Sequence, residues 1–198
     1  RTQSTSIVIQ MVISEKELVK LCKRKKAKGQ KLLYSRYYSN LLGICMRYAK
    51  TKDEAEDTLQ QGMMRIFKSI DNYSGLGSFE GWMKRIIVNV AIDNFRKNSK
   101  HYYHQDIDEI NGEKYFTNDL PDNLEVKEIL QTIQQLPVGY RMVFNLYAIE
   151  GFTHREISIK LGISENTSKT QLLKARRSLR KKLEALNYVP SQKQLANG

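Results

Sequence analysis

The sequence predicts an all-α protein: two small helical bundles joined by an acidic flexible linker, with a helix-turn-helix in the second bundle. Three observations lead there. Apolar residues recur with helical period on both sides of the chain's middle, while strand-like alternation is scarce. Charge is unevenly placed: Ser14–Lys50 holds eleven Lys/Arg against two Glu, His104–Glu128 eight Asp/Glu against two Lys, and Thr153–Lys182 nine Lys/Arg against two Glu. The acidic stretch is also weakly periodic and contains Asn111-Gly112 and Leu120-Pro121, both turn signals.

These features divide the 198 residues into an extension at 1–13 (disordered or added), a first bundle at 14–100, a linker at 101–122, a second bundle at 123–187 and a tail at 188–198. In the first bundle Leu59, Met63, Ile66, Phe67 and Ile70 form one helical stripe behind the acidic start Asp53–Asp57. Acids in a first turn suit the positive end of a helix. A glycine-rich loop, Asp71–Ser78, precedes a longer helix marked by Phe79, Trp82, Met83, Ile86, Ile87, Val90 and Ala91. Beyond the linker, helices are expected at Val126–Leu136 and Arg141–Glu150, closed by Leu136-Pro137 and by Gly151.

The stretch Thr153–Leu179 reads as a helix-turn-helix. Thr153 and Glu156 have capping-box spacing, Gly162 supplies the turn, Ile163 plugs the angle, and Ser164 caps the second helix. There Ser168, Leu172, Ala175 and Leu179 share an inner face, where Ser168 is smaller than the site calls for. Lys169, Thr170, Leu173, Lys174 and Arg177 are left outward, a set suited to phosphates, base edges and a thymine methyl. In the first bundle Arg85, Asn89, Asp93 and Arg96 recur opposite the apolar stripe, beside a loop bearing Tyr73 and Phe79. Amide, guanidinium and aromatic groups together suit single-stranded DNA, although Trp82 and Phe79 also read as core.

A net charge of +12 implies a polyanionic partner. The apolar run Ile7–Ile13 is too short to span a membrane and lacks signal-peptide flanks, so no membrane insertion is expected. Cys22 and Cys45 read as free thiols in a reducing compartment, and His101, His104 and His154 form no ligand set. No catalytic, cofactor or metal site is expected.

The segment DEAEDTLQQGMMRIFKSIDNYSGLGSFEGWMKRIIVNVAIDNFRK, followed by a linker and LPVGYRMVFNLYAIEGFTHREISIKLGISENTSKTQLLKARRSLRKKL, resembles a bacterial RNA polymerase sigma factor. The compact two-domain form resembles the extracytoplasmic-function class. The resemblance implies a cytoplasmic, non-enzymatic initiation subunit. Its partners would be core polymerase, duplex and melted promoter DNA, and an anti-sigma factor. It assigns Asp57, Gln60, Gln61, Met64, Arg65 and Lys68 to polymerase binding. Tyr73, Ser74, Trp82, Lys84, Arg85, Asn89 and Arg96 fall to the melted −10 strand, and Lys169, Thr170, Leu173, Lys174 and Arg177 to the −35 duplex. The chain departs from the pattern at Gln61 (usually Glu), Gly62 (usually large and apolar), Ser74 and Leu76 (usually charged) and Gln171 (commonly Arg). Gly62 is expected to weaken or bend its helix, and Gln171 to weaken a phosphate contact. The alternative is a helix-turn-helix regulator acting as a dimer without polymerase, which would bind a palindrome tightly on its own.

Overall fold

The computed structural model describes residues 13–105 and 124–185. Residues 1–12, 106–123 and 186–198, with most of the expected extension and linker and all of the tail, lie outside them. The described elements, in order, are α1 (Glu15–Lys23), α2 (Ala27–Tyr48), α3 (Lys52–Ser69), a 3₁₀ turn (Ile70–Asn72) and α4 (Phe79–Gln105). They continue with α5 (Leu124–Gln134), α6 (Val138–Phe144), a π turn (Asn145–Ile149), α7 (His154–Leu161) and α8 (Glu165–Ala185). No strand occurs among the described residues. The chain divides into two compact units between Asn94 and Phe95, within α4. That helix runs to Gln105, five residues into the stretch expected as linker.

In the first unit α1 and α3 pack on α2. Leu18, Leu33, Leu41, Cys45, Met46, Leu59, Met63, Ile66, Met83 and Ile87 are all buried there. Each such side chain contributes roughly 1.5–3 kcal/mol by leaving water; Leu59, Met63, Ile66, Met83 and Ile87 come from the two expected stripes, and the others from α1 and α2. Thr51 starts α3 by accepting the Glu54 N–H on its hydroxyl, 3.3 Å away. Gly62 does not interrupt the helix, which runs unbroken through it. It is buried, and a Cβ there would collide with Cδ1 of Ile87 on α4. The propensity cost of about 1 kcal/mol for a mid-helix glycine thus goes with a close approach of Ile87, whose Cδ1 would have to shift to admit a larger residue.

The second unit centres on Ile133, Leu136, Ala175 and Leu179, with Tyr140, Phe144 and Ile149 packed against them. The segment expected as one helix at Arg141–Glu150 is two forms of helix. The α-helical part ends at Phe144, and the Glu150 N–H reaches back five residues to the Asn145 carbonyl at 3.0 Å. Gly151 closes this π turn with φ 77°, a left-handed conformation that glycine adopts without strain.

Candidate nucleic-acid interface

The loop before α4 is shaped from inside. Gly75 and Gly77 take φ of 80° and 82°, which turns the chain twice within three residues. The Tyr73 hydroxyl donates to the Gly77 carbonyl at 2.9 Å. Its ring packs 4.9 Å from Phe79 and 5.5 Å from Trp82, and the Trp82 ring stacks on Phe79 at 5.7 Å. Lys23 of α1 holds the loop from the far side, donating to the carbonyls of Tyr73 (2.9 Å) and Asp71 (3.4 Å). Ser78 caps α4, its Oγ accepting the Gly81 N–H at 3.2 Å.

Tyr73 is only 7% exposed, so in this conformation its ring chiefly braces the loop. Phe79 is wholly buried, and Trp82 keeps part of its surface in solvent. The apolar group that the loop does present is Leu76, 87% exposed at the tip. Ser74, also exposed, accepts the Leu76 N–H on its hydroxyl at 3.3 Å. Between the loop and α1 lies a cavity of about 490 Å³, lined by Ser74, Gly75, Lys16, Lys20, Lys23 and Arg24 among others. The sequence shows the basic block that contains these cations, but no local pattern says that they face the loop.

On α4, Arg85 and Asn89 are exposed one turn apart, Lys84 is half-buried, and Arg96 is exposed beyond Asn94. Asp93 shares this side of the helix and is bound by Arg65 of α3, with Nη1 2.7 Å from Oδ2. Asp57, Gln60, Gln61, Met64, Arg65 and Lys68 are all exposed on α3, at spacings that place them on one face. Met64 stands out there, 71% exposed for an apolar side chain.

The helix-turn-helix forms as its spacing predicts. Thr153 and Glu156 complete a capping box, with N–H donations of 3.2 Å to the Thr153 hydroxyl and 2.8 Å to the Glu156 carboxylate. That backbone donor holds the Glu156 carboxyl below the usual carboxylate range. Gly162 adopts φ 70°, and the Ser164 hydroxyl accepts the Thr167 N–H at 2.9 Å. On α8, Ser168, Leu172, Ala175 and Leu179 are buried. Lys169, Thr170, Leu173, Lys174 and Arg177 are exposed, Leu173 at 70%.

One expectation about α8 changes. Ser168 fits its buried position because its hydroxyl lies 2.9 Å from Nδ1 of His154 on α7. Gln171 is itself buried, its amide beside Gly139, where an added Cβ would lie 3.1 Å from Nε2. It therefore packs inward in this conformation.

No group of three His, Cys, Asp or Glu side chains placed to hold a metal occurs among the described residues, and no described helix is long and apolar enough to cross a membrane. Comparison with known proteins agrees with the two-part organisation. A model of sigma-70 region 2 matches residues 33–101, and one of sigma-70 region 4 matches 127–179. The chain is 25% identical over 185 residues to the RNA polymerase sigma-H factor of Pseudomonas aeruginosa, covering 87% of this chain and 95% of that one. It is 24% identical over 185 residues to the extracytoplasmic-function sigma-E factor of Escherichia coli K12, covering 88% and 96%. Among solved structures it is similar to the sigma factor RpoE from Bartonella quintana, solved in complex with the anti-sigma factor NepR. That match has 19% identity, 78% and 96% coverage, and a TM-score of 0.48. With the two sigma-70 regions in order along the chain and sigma-factor relatives matched over 95% and 96% of their length, the protein belongs to the sigma-70 family of RNA polymerase initiation factors, in its extracytoplasmic-function class.

Proposed function

We propose that this sigma factor reads its promoters with two separate residue sets and docks on core polymerase with a third. The observation that carries the reading is on α8. Its apolar face is buried while Lys169, Thr170, Leu173, Lys174 and Arg177 stand in solvent, as a recognition helix in a major groove requires. These five residues take the −35 duplex. Lysine and arginine neutralise phosphates, Thr170 bonds a base edge, and Leu173 meets a thymine methyl.

The melted −10 strand falls to the loop and α4. Arg85, Asn89 and Arg96 offer hydrogen bonds, with Ser74, Lys84 and the exposed part of Trp82 beside them. Tyr73 acts from within, by holding the loop, and Leu76 adds an apolar tip. The protein catalyses no reaction; it shifts the duplex toward the open form by binding that form selectively. Unstacking a base costs a few kcal/mol, and each stacked base returns about 1–3 kcal/mol. Terms so nearly matched let promoter sequence decide whether the bubble persists.

Asp57, Gln60, Gln61, Met64, Arg65 and Lys68 form the polymerase-docking face. The first bundle is assigned to residues 14–100, the second to 123–187, and the acidic segment between them to a basic channel of the polymerase. An anti-sigma factor is the further partner proposed. Met64 and Leu173 leave a large apolar side chain exposed on each functional face, and a protein covering them would block docking and reading together. The working compartment is the cytoplasm.

The test is transcription by core polymerase, with and without this protein, on a random promoter pool. Initiation from one asymmetric two-box site, only when both are present, is expected. Tight binding to a palindrome without polymerase would instead favour a dimeric regulator.

A further inference from the structure

We propose that the hydrogen bond between His154 and Ser168 fixes the placement of α8 on α7, making His154 a positioning residue for −35 reading and that reading sensitive to acid. The inference rests on the −35 assignment of Lys169 and Thr170.

Ile157 and Leu161 on α7 and Leu172 and Ala175 on α8 are apolar and buried. Such contacts set how closely helices pack but are weakly directional. Ser168 is different: it is fully buried, polar, and 2.9 Å from His154 Nδ1. A buried hydroxyl that loses its partner is costly, so α8 is held where this bond can form. Ser168 directly precedes Lys169 and Thr170, and any rotation or slide at Ser168 passes to them rigidly along the helix.

His154 is itself held. Its ring stacks on Tyr147 of the π turn, with centroids 4.6 Å apart and planes 24° apart. The Arg176 guanidinium of α8 lies 5.7 Å over the same Tyr147 ring. The π turn and the start of α7 thus grip α8 at Ser168 and again at Arg176, two turns later.

The charges around the imidazole oppose its protonation. Lys169 and Arg176 face it from α8, against the single carboxylate of Glu165. It also sits at the first residue of α7, the positive end of that helix. Partial burial, then Lys169, hold its pKa below the ordinary value. The neutral ring can share its hydrogen bond with Ser168 in either direction, whereas the imidazolium can only donate to the Ser168 hydroxyl oxygen and is repelled by both cations. The arrangement shown therefore binds fewer protons than one in which the ring is released, so it weakens as pH falls below the ordinary histidine value.

The test uses the full chain with core polymerase, and compares initiation from a promoter with its −35 box against the same promoter with that box scrambled. It is read at about pH 5.5 and about pH 7.5, on either side of the ordinary histidine value of about 6.5. The wild-type ratio should fall about two-fold or more in acid, because desolvation and the neighbouring cations disfavour the imidazolium in this arrangement. His154→Asn, which keeps polar atoms near the Nδ1 position but does not titrate, should hold its ratio at both pH values. His154→Phe, which keeps the ring on Tyr147 but removes the bond, should lose the ratio already at neutral pH while polymerase binding is retained. Should that variant fail to fold, Ser168→Ala removes the same bond without added bulk. A wild-type ratio at neutral pH in both bond-deleting variants, or an acid loss that persists in His154→Asn, overturns the inference. If Lys169→Ala leaves the ratio unchanged, it is the −35 assignment that fails.

Discussion

Gly62 and Ile87 compete for one place in the first unit: a side chain on the first would have to occupy the position of Cδ1 of the second. Gly62→Ala should therefore destabilise the protein, because overpacking of about 1–3 kcal/mol outweighs the roughly 1 kcal/mol that alanine gains in helix propensity. Ile87→Val removes the obstructing methyl and alone costs about 0.5–1.5 kcal/mol. Combined, the two changes should be less damaging than their sum. Urea unfolding of both single variants and the double variant measures this coupling; strict additivity would show that the close approach is not what the glycine provides.

The Tyr73 hydroxyl should matter to the loop out of proportion to its size. Tyr73→Phe keeps the aromatic packing on Phe79 and Trp82 and deletes only the bond to the Gly77 carbonyl. A stability loss of about 0.5–1.5 kcal/mol is expected, with faster hydrogen exchange at residues 74–78 than in wild type. Unchanged exchange there would mean that the two glycines shape the loop unaided.

Lys169 and Lys174 separate charge from packing. Removing either should lower the slope of log affinity against log salt by roughly 0.9 for a −35 duplex bound by the holoenzyme. Lys174 also lies 5.8 Å over the Tyr140 ring, so Lys174→Ala should cost some thermal stability while Lys169→Ala costs none. Asn89→Ala should leave duplex binding intact and reduce promoter opening, as permanganate footprinting would report.

Both cysteines should be inert in the folded protein. Burial pushes the Cys22 thiol up to about 11 and Cys45 up to about 12, against about 8.5 in an unfolded chain. Above that value the folded state binds more protons than the unfolded one, so stability declines as pH rises. A thiol reagent near neutral pH should label neither residue until denaturant unfolds the first unit, and rapid labelling of the native protein would contradict the burial seen here.

Much of this was legible in the sequence because it is written in short-range spacing. The stripe from Leu59 to Ile70, the Thr153–Glu156 capping box and the Gly162 turn each need only residues within one or two helical turns of each other. What escaped depends on partners far along the chain. Ser168 looks undersized until His154 is placed against it, fourteen residues away. Gly62 looks like a helix defect until Ile87 is seen to lie over it. An aromatic residue in a glycine-rich loop reads equally as a stacking platform or as a strut, and the packing of Tyr73 on Phe79 and Trp82 with its hydroxyl bond to Gly77 is not written in the local spacing. The burial of Gln171 likewise depends on Gly139, thirty-two residues away, and not on its position along α8.

Leu76 sits between two left-handed glycines with nearly all of its side chain in solvent, and the folded domain is therefore almost indifferent to what occupies that position. Surface substitutions remote from packing usually change stability by no more than about 0.5 kcal/mol. A lineage can exchange the residue at the tip without refashioning the bundle behind it. Divergence in the sequences such a loop prefers can then proceed by single steps, each viable on the way.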